Sequence, residues 1–484
     1  MTKKEREKQR LIKELLDSID NRNLAIFAGA GLSIPAGYVN WQQLLKPIAD
    51  ELDLDVEKEA NNLVQLAQYH CNVNQSNRGK INQLLINEFS QNASLTENHR
   101  ILSRLPIETF WTTNYDRMIE TALSDAGKVP DVKYNNKQLA FTVPKRDVVV
   151  YKMHGDIEHP SEAILTKDDY ESYHVRMQPF INALSGDLVS KTFLFIGFSF
   201  TDPNLDYILS RVRVAYNRDQ RPHYCLLKNL EQDQGEADAD FEYRQRKQEL
   251  FIQDLLRFGI KAVMVDEYSE ITDILNQLEV KIKAKSIFIS GAANQYLPYE
   301  KVEAERFVYD LSKEIISHEL KVVSGFGLGI GSAVISGALE SIYMSGNKLD
   351  DDQLLLRPFP QSQVGSTDLK MLWSQYREDM ISYAGIAIFI FGNKSVNEEI
   401  VLSNGMEEEF EIALSQGVLV IPVGSTGYMA QELWQRLKSK IESGEYLLPG
   451  GLEKKLLELG DIGKDLSDIK SLVLEVILKY NKGA

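Results

Sequence analysis

Apolar residues along this chain fall into two kinds of pattern. Short dense runs rich in Val, Ile and Phe, closed by Gly, Ser or Asn, alternate with longer stretches in which apolar residues recur every third or fourth position. The first kind predicts buried strands, the second amphipathic helices, and their alternation predicts parallel sheets covered by helices. In the first half the runs predict strands at 24–28, 107–112, 148–153, 192–196, 223–227 and 260–265, with a helical stretch at about 40–105 between the first two. The charged segment 231–249 lacks strand character and predicts an exposed helical excursion. Near residue 284 the pattern restarts: a strand at 286–290, a helix over 299–318, a strand at 320–323, then alternating glycines at 325–331 that open another helix. Further strands are expected at 354–356, 386–391 and 418–423. The restart follows a charged helix at 271–283, so two α/β domains are expected, 1–283 and 284–484.

Composition narrows the classes. The 484 residues are 43% hydrophobic and 26% charged, which excludes wholesale disorder and a fibrous repeat. The formal net charge of -16 has the wrong sign for a phosphate backbone or an anionic membrane, so neither nucleic acid nor membrane is expected as a partner. The longest apolar runs, 192–200 and 385–391, are about half the ~20 residues that cross a bilayer. The basic start MTKKEREKQR leads into an amphipathic helix rather than a signal sequence, and a cytoplasmic protein is expected. Two cysteines, Cys71 and Cys225, cannot form a disulfide framework or a four-cysteine zinc site, and no metal is expected.

Candidate chemistry sits where strands end. Ala28-Gly29-Ala30-Gly31-Leu32-Ser33 follows the first strand and opens a helix, an arrangement in which backbone N–H groups can face an anion. A glycine turn of this kind is also explained by tight geometry alone. The second strand ends in Thr112-Thr113-Asn114-Tyr115-Asp116, the third in His154-Gly155-Asp156, and the fourth in Gly197-Phe198-Ser199 followed by Asp202-Pro203-Asn204. Asn114 and Asp116 could cap a helix, Asp202 reads as a helix start, and an isolated histidine is more often a core residue. Ligands bind outside the carboxyl ends of strands in an open α/β sheet, so four polar strand ends on one edge favour a site. In the second half, Ser290-Gly291 and the Gly325-to-Gly331 turn supply a similar edge, joined by Arg377, Lys394 and Glu409. The two cations suit phosphates, and the carboxylate can accept from ribose hydroxyls or an adenine amine. Each could equally be a solvated charge.

The ordered set Gly-Ala-Gly-x-Ser, Thr-x-Asn-x-Asp, His-Gly and Gly-x-Ser resembles the NAD-binding domain of sirtuins over about residues 10–280. The resemblance implies that Ala28, Gly29, Ala30, Gly31 and Ser33 cradle NAD phosphates and that Gly197 and Ser199 hold the adenosine side. It places Asn114 beside the nicotinamide ribose, Asp116 at the nicotinamide amide and His154 as general base. Thr113 and Tyr115 stand where the family usually has Gln and Ile. With no zinc ribbon, the implied reaction shifts from protein deacylation to cleavage of NAD itself. The second half resembles the SLOG superfamily through Ser290, Gly291, Gly327, Gly329 and Gly405-x-x-x-Glu409, which implies a nucleotide-sensing pocket. Two Rossmann-like domains in this order, sirtuin-like then SLOG, resemble the Thoeris antiphage effectors. That implies an NAD+ glycohydrolase activated when a cyclic ADP-ribose isomer, made by a TIR-domain partner, binds Arg377, Lys394 and Glu409. It also implies a homotetramer or larger homo-oligomer. A zinc-free protein deacylase and a non-catalytic nucleotide receptor remain as alternatives.

Overall fold

A computed structural model describes residues 2–60, 62–91, 93–216, 221–346, 348–349, 353–359, 368–448, 451–462 and 464–483. The chain divides into two compact units, Met1–Glu279 and Val280–Ala484, with the division inside the helix Ser269–Ala284.

The first unit is built on seven parallel strands: β1 Leu24–Ala28, β2 Thr109–Thr112, β3 Pro130–Lys133, β4 Val148–Lys152, β5 Thr192–Ile196, β6 His223–Lys228 and β7 Ile260–Val265. Their order across the sheet is β3-β4-β2-β1-β5-β6-β7. β1 and β5 are buried at every position, which is why their sequences LAIFA and TFLFI show no alternation. Helices cover the sheet, and the expected helical stretch resolves into Trp41–Glu51, Leu63–Val73, Gly79–Phe89 and Glu97–Arg104. The charged excursion is the helix Asp238–Leu255, whose one buried residue is Leu255. Strand β3 was not expected from the pattern. It is an edge strand whose inward positions are Asp131 and Lys133, paired at 2.6 Å, so no apolar alternation announces it.

The second unit carries a five-stranded parallel sheet: β8 Ser286–Ala292, β9 Lys321–Ser324, β10 Leu354–Leu356, β11 Ile386–Phe391 and β14 Leu419–Pro422, ordered β10-β9-β8-β11-β14. Between β11 and β14 lies an antiparallel hairpin, β12 Asn393–Val396 and β13 Glu399–Leu402. Its two turn residues, Asn397 and Glu398, both have positive φ, 51° and 68°. That is the backbone of a two-residue hairpin turn, which the pair Asn-Glu does not signal as Asn-Gly would. The α/β class with Rossmann-like parallel sheets is thus present in both units.

In each sheet the strand order reverses beside a central strand, between β1 and β5 and between β8 and β11. Connections leave in opposite directions there, which opens a crevice at the carboxyl edge. At the first crevice the chain segments touch through glycine. A Cβ on Gly197 would stand 2.3 Å from the Leu32 nitrogen, and Gly197 has φ +62°. We expect Gly197→Ala to lower stability by about 2 to 4 kcal/mol through clash and backbone strain together. Gly186→Ala, on the helix Gln178–Ser190 with open space around its Cβ, should be neutral or slightly stabilising. Scanning calorimetry checks both, and unchanged melting of Gly197→Ala would mean that the two loops are not in contact.

Candidate functional site

Register fixes where the polar strand ends emerge. Ala28 lies opposite both Thr112 and Ile196, and Thr112 lies opposite Lys152, so β1, β2, β4 and β5 finish on one line across the sheet. Just beyond that line come Gly29 to Ser33, Asn114 to Asp116, His154, and Gly197 to Ser199. The sheet therefore brings the residues named from the sequence to one edge.

The glycine turn is held more firmly than an open cradle. Gly29 N–H donates to the Ile196 carbonyl and Gly31 N–H to the Gly197 carbonyl, each at 2.9 Å. Added Cβ atoms on Gly29 and Gly31 would fall 2.4 and 2.8 Å from atoms of Gly197. These glycines therefore permit backbone-to-backbone contact, and their two amides are committed to β5 and its loop. Ala28 is buried within β1, and Ala30 begins a single 3₁₀ turn, Ala30–Leu32. Ser199 is exposed, with its hydroxyl 2.8 Å from that of Thr201.

Asn114 ties two of the strand ends together. Its side-chain nitrogen donates to the Gly29 carbonyl at 3.1 Å and contacts the Ser33 hydroxyl at 3.2 Å, while its backbone N–H donates to the Thr112 hydroxyl. With both amide hydrogens so directed, the oxygen Oδ1 is the acceptor left for a ligand. Asp116 Oδ1 accepts from Met118 N–H at 3.0 Å, two residues on, where the next helix begins behind its N-cap Arg117. Neither Asn114 nor Asp116 is the N-cap of that helix.

His154 is 2% exposed, and neither ring nitrogen makes a well-directed hydrogen bond. Nε2 nevertheless lies 3.0 Å from Asp202 Oδ2, at ion-pair distance but off the ideal direction. Such contacts are often poorly aligned before substrate binds. Rings of Tyr170, Trp41 and Tyr115 surround the imidazole, with centroids at 5.6, 6.4 and 6.5 Å. Burial raises the pKa of Tyr115 and Tyr170, so both phenols keep their protons. Burial alone would also raise Asp202, but the charge of His154 and the bonds from Leu205 N–H and Tyr170 O–H outweigh it and hold the carboxyl below its usual range. Asp202 is absent from the site expected from sequence, where it reads as a helix start. The remaining signal was its place six residues after a strand, on the edge where the other polar groups gather.

Beneath this edge is a buried charge cluster. Lys152 is fully enclosed at the end of β4, with Nζ 2.6 Å from Asp156 and 3.0 Å from Glu120, and it also donates to the Tyr115 and Asp116 carbonyls. Burial disfavours its charge, but Glu120, Asp156 and Asp116 together raise its pKa. Its hydrogen bonds fix the loop that carries Asn114 and Asp116.

The second unit has a cleft of about 120 Å³ alongside β8 and the glycine turn after β9. Ser290, Gly291, Gly327, Arg377 and Glu409 all line it, with Phe359, Ser403 and Gly405. Glu409 accepts from the Ser290 hydroxyl at 2.5 Å and lies 3.4 Å from Arg377 Nε; burial raises its pKa. Arg377 also pairs with Glu408 at 2.7 Å and lies over the Phe359 ring. Two expected residues are not among those lining the cleft. Gly329, at φ +83°, would bring a Cβ 1.9 Å from the Ala293 carbonyl, so its role there is close packing. Lys394, on β12, donates to Asn404 at 2.5 Å, beside Ser403 and Gly405. Among the described residues no group of three or more His, Cys, Asp or Glu side chains is placed to hold a metal ion, and no helix is long and apolar enough to cross a membrane.

Comparison with known proteins matches both halves. Residues 108–252 fit the SIR2-like domain model, and residues 270–480 fit the Sir2- and TIR-associating SLOG family. The chain is 55% identical to the NAD(+) hydrolase ThsA of Bacillus cereus (strain MSX-D12), over 96% of each chain. It is 47% identical to the protein of that name from Cytobacillus dafuensis, over 99% of this chain and 97% of the relative. The one from Enterococcus faecium is 42% identical, over 96% and 98%.

The enclosed lysine gives a direct test of how the site is supported. Lys152→Met should cost about 3 to 5 kcal/mol at neutral pH, because Glu120 and Asp156 are left buried and ionised without a partner. In that variant the Glu120 carboxyl, which burial already holds above its usual range, would keep a folded pKa above its unfolded one. The deficit should then be largest above that folded value and shrink as pH falls through it. Thermal melting across about pH 5 to 8, the range in which proteins are generally most stable, follows this, and a deficit that does not change with pH would place the loss elsewhere.

Proposed function

This chain belongs to the ThsA family, and on that premise we propose that it is an NAD+ glycohydrolase of antiphage defence, cleaving NAD+ to nicotinamide and ADP-ribose. The observation that carries the reading is the single line on which β1, β2, β4 and β5 end, which gathers Asn114 and His154 with the glycine turn.

The chemistry follows from the groups present. The C1′–N bond breaks towards a leaving group that departs neutral, so no acid is needed on it, while positive charge grows on the ribose. Acceptor groups around the ribose stabilise that charge. Asn114 Oδ1 is such an acceptor, and it can hold a ribose hydroxyl or the attacking water. As the water oxygen bonds to C1′, His154 takes the proton. Ala28, Ala30 and Ser33 would face the phosphates, Asp116 the nicotinamide amide, and Gly197 and Ser199 the adenosine side. At Gly29 and Gly31 the ligand would meet backbone already bonded to β5, so pyrophosphate recognition there rests on close approach rather than on free amides.

The cleft of the second unit fits a sensor. Arg377 provides a fixed guanidinium, and Ser290 and Glu409 provide polar contacts for ribose or adenine, with Gly291 and Gly327 allowing close approach. Lys394 would join them from the neighbouring hairpin, and Gly329 would act by shaping the loop. The effector in this reading is a cyclic ADP-ribose isomer made by a TIR-domain partner, acting on a homotetramer or larger homo-oligomer in the cytoplasm. It can activate only by binding active and inactive arrangements unequally.

Nicotinamide release from NAD tests the reading, measured with and without cyclic ADP-ribose isomers and acyl-peptide. Asn114→Ala and His154→Ala should each lower the rate by about 10² to 10⁴ in folded protein. Turnover that required acyl-peptide would make the chain a deacylase, and binding without turnover would make it a receptor. Arg377→Ala should raise the activating concentration of the isomer by roughly 30-fold or more. Cleavage should also survive exhaustive chelation with EDTA; loss restored by zinc would contradict a metal-free mechanism.

A further inference from the structure

Asp202 meets two different demands with its two oxygens. Oδ1 accepts from Leu205 N–H at 2.9 Å and so caps the helix Pro203–Tyr216. Oδ2 accepts from the Tyr170 hydroxyl at 3.1 Å and lies 3.0 Å from His154 Nε2. Its carboxyl is held below the usual range, burial being outweighed by His154 and by the two hydrogen-bond donors. An ionised carboxylate only accepts. The imidazole nitrogen beside it must therefore carry hydrogen, and in the neutral ring the other nitrogen, Nδ1, then holds the lone pair. Both ring nitrogens are buried without a well-directed hydrogen bond among the described residues, and of the two it is Nε2 that has a carboxylate at ion-pair distance.

We propose that Asp202 is a positioning residue for His154: it takes the Nε2 hydrogen, fixes the ring's tautomer, and so leaves Nδ1 as the atom that removes the proton from water at C1′. When Nδ1 accepts that proton, the charge formed on the imidazole is opposed by the Asp202 carboxylate, and no proton passes to Asp202. This rests on His154 being the base of the proposed cleavage. The same carboxylate joins the end of β5 to that of β4, which explains why a residue that reads as a helix cap lies on the edge with the candidate base.

Replacement by asparagine separates the two duties. In Asp202→Asn the single oxygen can still cap Leu205 N–H, but the group then turned towards His154 is an NH₂. It donates to Nε2 and forces the opposite tautomer, with hydrogen on Nδ1. Asp202→Ser also keeps a good helix cap and removes the contact with the ring altogether. Full-length wild type, Asp202→Asn, Asp202→Ser and His154→Ala are compared for nicotinamide release from NAD, with the cyclic ADP-ribose isomer that gives wild type its highest rate, and for thermal melting. Both Asp202 variants should lose about 10²-fold or more in kcat, with KM within about threefold and melting close to wild type. Wild-type kcat in either one, with His154→Ala inactive, would overturn the role of Asp202 and leave His154 as the base. Wild-type turnover in His154→Ala would instead remove the base itself. A parallel loss of kcat, KM and melting temperature in both variants would reduce Asp202 to a cap and overturn the proposal.

Discussion

The hydrogen bond from Gly31 N–H to the Gly197 carbonyl, with its neighbour from Gly29 to Ile196, is the contact on which the candidate active site depends. It joins the loops after β1 and β5 where the strand order reverses, at a separation that leaves no room for a side chain on Gly29, Gly31 or Gly197. Once those loops are locked, the Gly29 carbonyl is in place to receive Asn114, and the chain beyond Gly197 delivers Asp202 to His154. Four strand ends are thus connected by short polar contacts rather than merely placed side by side.

Charge is handled in two layers. Below the strand ends, Lys152 neutralises Glu120 and Asp156 and holds the Tyr115 and Asp116 carbonyls, so the loop bearing the candidate site residues is anchored to a buried ion. At the edge itself, Asp202 is ionised within a ring of aromatic side chains around His154. A buried charge needs an opposite partner, and in both layers each carboxylate stands within 3.0 Å of a lysine or imidazole nitrogen.

The second unit uses the same backbone device with different chemistry. A Cβ on Gly327 would fall 1.9 Å from the Gly291 carbonyl, so here too glycines let two strand-end loops touch. Among the described residues no histidine lines the cleft. The cleft is lined instead by a guanidinium, a carboxylate with raised pKa and an aromatic ring, a set suited to holding a ligand rather than to breaking a bond. The two edges thus differ in kind, one carrying the candidate base and the other the candidate ligand cleft.

Much of this was legible in the linear sequence. Fully buried strands such as LAIFA and IAIFIF announce themselves because burial on both faces demands continuous apolar residues, and glycine after a strand marks a turn that no other residue fits. Those two signals fix the α/β class, the restart near residue 284 and the positions of Asn114 and His154 on strand ends, while Arg377 and Glu409 lie on the helices Leu369–Ser382 and Asn404–Ser415. Strand β3 and the β12–β13 hairpin were hidden, since one turns a charged pair inwards and the other turns on Asn-Glu. Only the tertiary structure decided which groups meet. The committed amides of Gly29 and Gly31, the position of Lys394 on the hairpin beside the cleft, and the pairing of Asp202 with His154 all depend on register and loop packing between segments distant in the chain. Local sequence encodes what a segment can do by itself, whereas the partner of each polar atom is set by the neighbour that the fold brings to it.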